Sequence, residues 1–143
     1  MVNQQEYSTF KSFEFDLFVG LDVSKKSISA TFLDHAGTSK SLTFPYASSN
    51  LICFVNKHYA NQSIAFVYEA GPTGFGLYDD LTAAGFFCMV VGPAQTPQTP
   101  SDRVKTNRRD SLKLALALRG GQIRSIPTLS FRLRRQPDAE QNR

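Results

Sequence analysis

Cysteine and histidine are scarce in this chain, two of each in 143 residues, and that scarcity removes several chemistries at the outset. His35 and His58 have no second His or Cys at ligand spacing, which leaves a zinc site without support. No serine–histidine–aspartate arrangement offers itself for nucleophilic catalysis. Cys53 and Cys88 lie far apart, each between apolar neighbours, and read as two reduced, buried thiols in a reducing compartment. No run approaches the roughly 18 apolar residues of a membrane span. The first ten residues lack the basic start and apolar stretch of a signal peptide. A cytoplasmic protein without a membrane partner is the expectation.

What remains is an ordinary globular composition, 41% hydrophobic and 20% charged, of a length that suits one domain with a real core. The net charge of +4 is unevenly spread. Residues 1–100 hold 5 Lys and Arg against 8 Asp and Glu, a net of −3, whereas residues 101–143 hold 11 against 4, a net of +7. Such asymmetry implies an acidic partner for the basic segment, most often nucleic acid. A solvated basic tail without a specific ligand is the plainer alternative.

Along the chain, Asp16 to Val23 reads as a strand with both faces apolar until Asp22, as in a covered central strand. Ser27 to Leu33, a turn over Asp34–Gly37, and Ser41 to Tyr46 extend it into an antiparallel meander. Ser48, Ser49 and Asn50 supply N-cap chemistry for a helix through Tyr59. Ile64 to Tyr68 is a second buried strand, ending at Glu69. Gly71–Gly74 breaks it, and a helix follows to about Ala84, closed by Gly85. Phe86 to Val91 is a third buried strand. Pro97 and Pro100 mark a loop over 94–101. A helix runs from about Arg108 to Arg119, with Leu112, Ala115, Leu116 and Leu118 as its apolar surface, and ends at Gly120–Gly121. Phe18, Phe66 and Phe87 belong to the core. The expected organisation is a flexible segment over 1–15, a domain over 16–128 and a disordered basic tail over 129–143.

Periodicity alone supports an α/β mixed sheet. A three-strand antiparallel meander followed by parallel strands and flanking helices is the ribonuclease-H-like order. In it, Asp22 and Glu69 each end an otherwise apolar strand, and acids at the carboxyl ends of parallel neighbours converge in one crevice. Two carboxylates so close repel unless a divalent cation sits between them, and hard oxygen donors suit Mg²⁺ or Mn²⁺. Asp110, near the start of the last helix, adds a third acid. A two-ion site of this kind can align a phosphodiester and stabilise its leaving oxygen. A strand-end turn acid, a helix cap and a first-turn dipole acid would each explain one of the three. Together they explain less well why the acids end the most apolar segments.

Four segments resemble the DEDD-type transposases of bacterial insertion sequences, whose N-terminal domain is RuvC-like. They are Phe18-Val-Gly-Leu-Asp-Val-Ser-Lys25, Tyr68-Glu-Ala-Gly-Pro-Thr-Gly74, Gly85 through Pro93, and Val104-Lys-Thr-Asn-Arg-Arg-Asp-Ser-Leu-Lys-Leu-Ala115. The resemblance spans residues 17 to 128 in family order. It implies metal-dependent DNA strand cleavage and exchange in transposition, with the first acid at Asp22, the second at Glu69 and the last at Asp110. The third falls on Asn107, an amide that offers one neutral oxygen without the charge that draws a second cation. The family also implies a structured guide RNA, a homo-oligomer in the full-length form and a second domain with a nucleophilic serine. That domain has no counterpart here, so a truncated or frameshifted transposase is the expectation.

Lys105, Arg108 and Arg109 flank Asn107 and Asp110 and are candidate phosphate contacts; neutralising nearby acids is their alternative role. Lys25, just past Asp22, could do either. Thr73 and Gly74 could present backbone N–H groups to a phosphate or simply cap a helix. Two other functions compete with the nuclease. One is an inactive remnant that only binds nucleic acid. The other is an actin-like or sugar-kinase-like phosphotransferase, because Gly20 to Lys25 also resembles the first phosphate loop of those proteins.

Overall fold

The computed structural model describes residues 10–71, 74–92, 110–121 and 123. Five strands form one sheet: β1 (Leu17–Val23), β2 (Ser27–Asp34), β3 (Ser39–Pro45), β4 (Ile64–Glu69) and β5 (Phe87–Val91). Among the described residues three α-helices accompany them: α1 (Ser48–His58), α2 (Gly76–Ala83) and α3 (Ser111–Gly120). The strand order is β3-β2-β1-β4-β5, with β1–β2 and β2–β3 antiparallel and β1–β4 and β4–β5 parallel. This is the expected ribonuclease-H-like arrangement: a mixed five-stranded sheet with flanking helices. Among the described residues no helix is long and apolar enough to cross a membrane.

The sheet separates two cores, which is why β1 and β4 are apolar on both faces. On one face Leu17, Val19 and Leu21 of β1 and Ile64, Phe66 and Tyr68 of β4 pack beneath Leu51 and Val55 of α1 and Leu77, Tyr78 and Leu81 of α2. On the other, Phe18, Ala65, Val67, Met89 and Val91 meet Leu114, Ala115 and Leu118 of α3. Phe10 and Phe15 pack against this second core and stack with ring centroids 5.3 Å apart.

Several local expectations change. Leu112 and Leu116 are 40% and 42% exposed. The buried stripe of α3 is Leu114, Ala115 and Leu118, at the i, i+1, i+4 spacing of one helical face, and Leu112 and Leu116 point away from it. Cys53 is exposed and only Cys88 is buried. On α1 the inward pair is Leu51 and Val55, four apart, and Cys53 falls midway between them on the opposite side. The Ser48–Asn50 cap is also different, because Ala47 is the N-cap residue and caps with no side chain. Instead the Ser48 hydroxyl donates to Asp80, and Asn50 Nδ2 donates to the Pro45 carbonyl at 2.9 Å. Phe87 is 37% exposed, since it opens the edge strand β5 and rests against Phe10 and Phe15 rather than inside the sheet. The strand expected from Ser41 begins at Ser39.

Helix α3 has a defined direction on the sheet. Near its start, Ser111 Oγ shares a 2.7 Å hydrogen bond with Thr31 Oγ1, and Thr31 is the register partner of Gly20. Near its end, Arg119 Nη1 donates to the Asp34 carbonyl at 3.1 Å, and Asp34 is the partner of Leu17. The helix therefore runs antiparallel to β1, its N-terminus toward the carboxyl end of that strand. Gly121, with φ of 72°, closes it in the left-handed conformation that glycine accepts at least cost.

Candidate active site

Strand alternation decides where the acids point. On β1 Phe18 and Gly20 face α3, so Asp22, two further on, continues that row. On β4 Ala65 and Val67 face the same way, so Glu69 continues theirs. The parallel register pairs Leu21 with Tyr68, and one more step sets Asp22 beside Glu69 on strands about 4.8 Å apart. Both acids are half-buried. They share a sheet end and a face, the one over which the N-terminus of α3 arrives.

Asp110 is exposed and sits immediately before α3 as its N-cap, with extended backbone at φ −77° and ψ 174°. Its Oδ1 accepts from the Lys113 backbone N–H at 2.8 Å. The alternative weighed for Asp110 is a first-turn dipole acid; it stands one residue earlier, as the N-cap itself. A carboxylate retains a second oxygen and further lone pairs when it caps in this way. Lys25 is exposed in the β1–β2 turn, three residues after Asp22. Ser24 organises that turn: its N–H donates to the Ser27 carbonyl at 2.9 Å, and its hydroxyl oxygen accepts from the Ser27 N–H at 3.1 Å. Asn107, Lys105, Arg108, Arg109 and Thr73 lie outside the described residues. Gly74, next to Thr73, has φ of 78° and its N–H donates to the Gly71 carbonyl at 3.0 Å.

The donor chemistry of Asp22 and Glu69, two adjoining hard carboxylates, fits a divalent cation such as Mg²⁺ or Mn²⁺. Among the described residues, however, no group of three His, Cys, Asp or Glu side chains is gathered so as to hold a metal ion. The pair is brought together by the fold, while the third acid is turned onto its own helix.

Reading the sequence for acids overlooks what brings α3 here. Gly20 lies under the helix so closely that an added Cβ would meet the Ser111 carbonyl oxygen at 2.0 Å and the Ala115 nitrogen at 2.7 Å. Thr31, 1% exposed, is the one buried polar residue among the described residues, and its hydroxyl also shares a 2.7 Å hydrogen bond with Ser41. A glycine inside an apolar strand was the available signal, since it often marks close approach of another backbone. Tyr68 is a second such residue. Its buried hydroxyl accepts from the Tyr78 N–H at 3.0 Å and ties the start of α2 to the strand that ends in Glu69. Burial holds the Tyr68 phenol well above its ordinary range, with the nearby Cys88 thiol adding to the shift.

No protein-family model matches the chain. Over 65 residues it is 49% identical to y4qE of Sinorhizobium fredii (strain NBRC 101917 / NGR234), which carries the name of a transposase; the match covers 46% of this chain and 17% of that protein. Over 110 residues it is 31% identical to the transposase for insertion sequence element IS1533 of Leptospira borgpetersenii, covering 75% of this chain and 32% of that protein. The chain therefore has homologues named as transposases, and it spans less than a third of the length of either. Among solved structures, the large terminase nuclease from thermophilic phage G20c, determined with bound magnesium, aligns with a TM-score of 0.42 at 15% identity. That alignment covers 76% of this chain and 57% of the other.

Proposed function

We propose that this chain carries the metal-dependent catalytic domain of a DEDD-type transposase, which cleaves and exchanges DNA strands during transposition of an insertion sequence. The observation that carries this reading is the parallel register of β1 and β4, which pairs Leu21 with Tyr68 and puts the carboxylates Asp22 and Glu69 one step further along each strand. Similarity to two proteins named as transposases supports it. In this reading Asp22 and Glu69 would hold Mg²⁺ or Mn²⁺, with Asp110 as a third carboxylate through the oxygen that its cap does not use. The ion supplies Lewis-acid stabilisation of phosphodiester oxygens. Lys25, on the exposed turn beyond Asp22, draws the DNA backbone toward the acids, joined by Lys105, Arg108, Arg109 and the backbone at Thr73. Asn107 stands at the remaining acidic position as a neutral donor. A structured guide RNA, self-association of the full-length form and a cytoplasmic setting complete the proposal.

A second reading, a domain that binds nucleic acid without cutting it, is favoured by Asn107 itself, where the resemblance expects an acid. The test is Mn²⁺ titration of the chain against Glu69→Gln. Saturable binding that Glu69→Gln abolishes supports the metal centre. Identical weak binding by both removes it and leaves the binding-only reading.

A further inference from the structure

Asp110 is the acid whose position the sheet does not set. Asp22 and Glu69 are built into strands, and pairing fixes them. Asp110 depends on where α3 comes to rest, and three residues outside the acid set hold the first turn of that helix. Gly20 provides the bare backbone on which it lies. The Ser111 carbonyl and the Ala115 N–H, the i and i+4 partners of an α-helical turn, are the atoms that a Cβ on Gly20 would strike. Thr31 stands opposite Gly20 on β2, and its hydroxyl bridges Ser111 of the helix and Ser41 of β3 at 2.7 Å each. Sliding α3 along β1 would break the Ser111 half of that bridge and leave Thr31 with Ser41 alone, so the hydroxyl favours one register of the helix. Asp110 is the residue before Ser111, and Asp22 is two residues past Gly20, about 7 Å along the strand. The same row that seats the helix therefore also carries the first acid.

We infer that Gly20, Thr31 and Ser111 are positioning residues that set the register of α3 on the sheet, and thereby the place of Asp110 relative to Asp22 and Glu69. The inference rests on the metal-centre reading above. It assigns to an apolar-strand glycine and two hydroxyls the task of completing that centre, a task that their chemistry alone does not announce. Arg119, which anchors the far end of α3 at Asp34, serves as the control. Loosening that end leaves the Thr31–Ser111 contact in place.

The experiment is Mn²⁺ titration of the full chain, with thermal unfolding of every variant, carried out well below the lowest melting temperature. Thr31→Val keeps the shape of the side chain and deletes the hydroxyl, and Ser111→Ala deletes its partner. Each is expected to weaken Mn²⁺ binding by about tenfold, the scale on which lost supporting contacts act at metal sites. Thr31→Ser restores the hydroxyl and near-native affinity, and Arg119→Met leaves the affinity unchanged. Gly20→Ala lifts the first turn and loses binding even where the chain still melts cooperatively. Wild-type affinity in folded Thr31→Val and Ser111→Ala, with binding still abolished in Glu69→Gln, overturns the positioning role and spares the metal centre. Equal loss in Arg119→Met overturns it too, because the effect would then follow general loosening. Unchanged binding in Glu69→Gln takes down the metal centre and the inference together.

Discussion

Asp110 has two roles to separate, and its neighbouring geometry allows it. The side chain caps α3 through one oxygen, accepting from the Lys113 N–H at 2.8 Å. Replacing it with alanine removes that acceptor and leaves a first-turn N–H without its partner, a loss of about 1 kcal/mol in typical helix caps. Its negative charge at the positive end of the helix adds roughly 0.3–1 kcal/mol, screened here because the residue is exposed. For a chain of this size the sum lowers Tm by about 3–5 °C. Asparagine caps almost as well as aspartate. Asp110→Asn therefore keeps the acceptor and loses only the charge, and its Tm should stay within about 2 °C of wild type. Metal binding should follow the opposite logic. If the second oxygen of Asp110 reaches a cation, the neutral amide weakens Mn²⁺ binding as much as alanine does, by at least about tenfold. Thermal unfolding and Mn²⁺ titration on the two variants read both effects. Equal destabilisation by Asn and Ala would refute the capping argument. Wild-type Mn²⁺ affinity in Asp110→Asn would reduce the residue to a cap.

Other consequences are directly measurable. With a disulfide reagent at neutral pH, Cys53 should react at once, whereas Cys88 should react only at the rate of unfolding; two fast thiols would contradict the burial of β5. Burial raises the Cys88 thiol and the Tyr68 phenol far above their ordinary values of 9.0 and 10.0. Both groups are neutral when folded and ionise more readily when unfolded, so their contribution is complete below pH ~9 and is lost progressively as pH climbs above it. Unfolding measured against pH should show stability falling above that point, and a flat alkaline limb would count against it. Tyr68→Phe leaves the buried Tyr78 N–H without its acceptor and should cost about 1–3 kcal/mol in denaturant unfolding; a neutral result would mean that the hydroxyl is not a helix anchor. Lys25→Ala should reduce the salt dependence of DNA binding by about one phosphate contact, and an unchanged slope would remove Lys25 from the interface.

Much of the fold was legible because its signals are local. The two-sided apolar run of Leu17–Leu21 announces a covered central strand, and Gly85 and Gly121 mark helix ends through their positive φ. Where the local reading failed, a tertiary choice was at stake. Leu112 and Leu116 are as apolar as Leu114 and Leu118, and only the rotation of α3 on the sheet selects which pair is buried. Phe87 looks like a core residue until its strand proves to be an edge, and Cys53 looks buried until α1 turns it outward.

The acids divide along the same line. Asp22 and Glu69 were visible in the sequence as the polar ends of apolar strands, and strand periodicity with parallel pairing is enough to make them neighbours. Asp110 was visible as an acid near a helix start, yet its distance from the other two depends on where a helix that begins at Ser111, far downstream of Asp22, comes to rest. That was decided by Gly20, which lets the backbone of α3 touch the sheet, and by Thr31, whose buried hydroxyl favours one register. Sequence spacing reports which residues an element carries. The depth, rotation and register at which two elements meet are set by steric exclusion and by satisfaction of buried polar groups, and these exist only once the chain has folded.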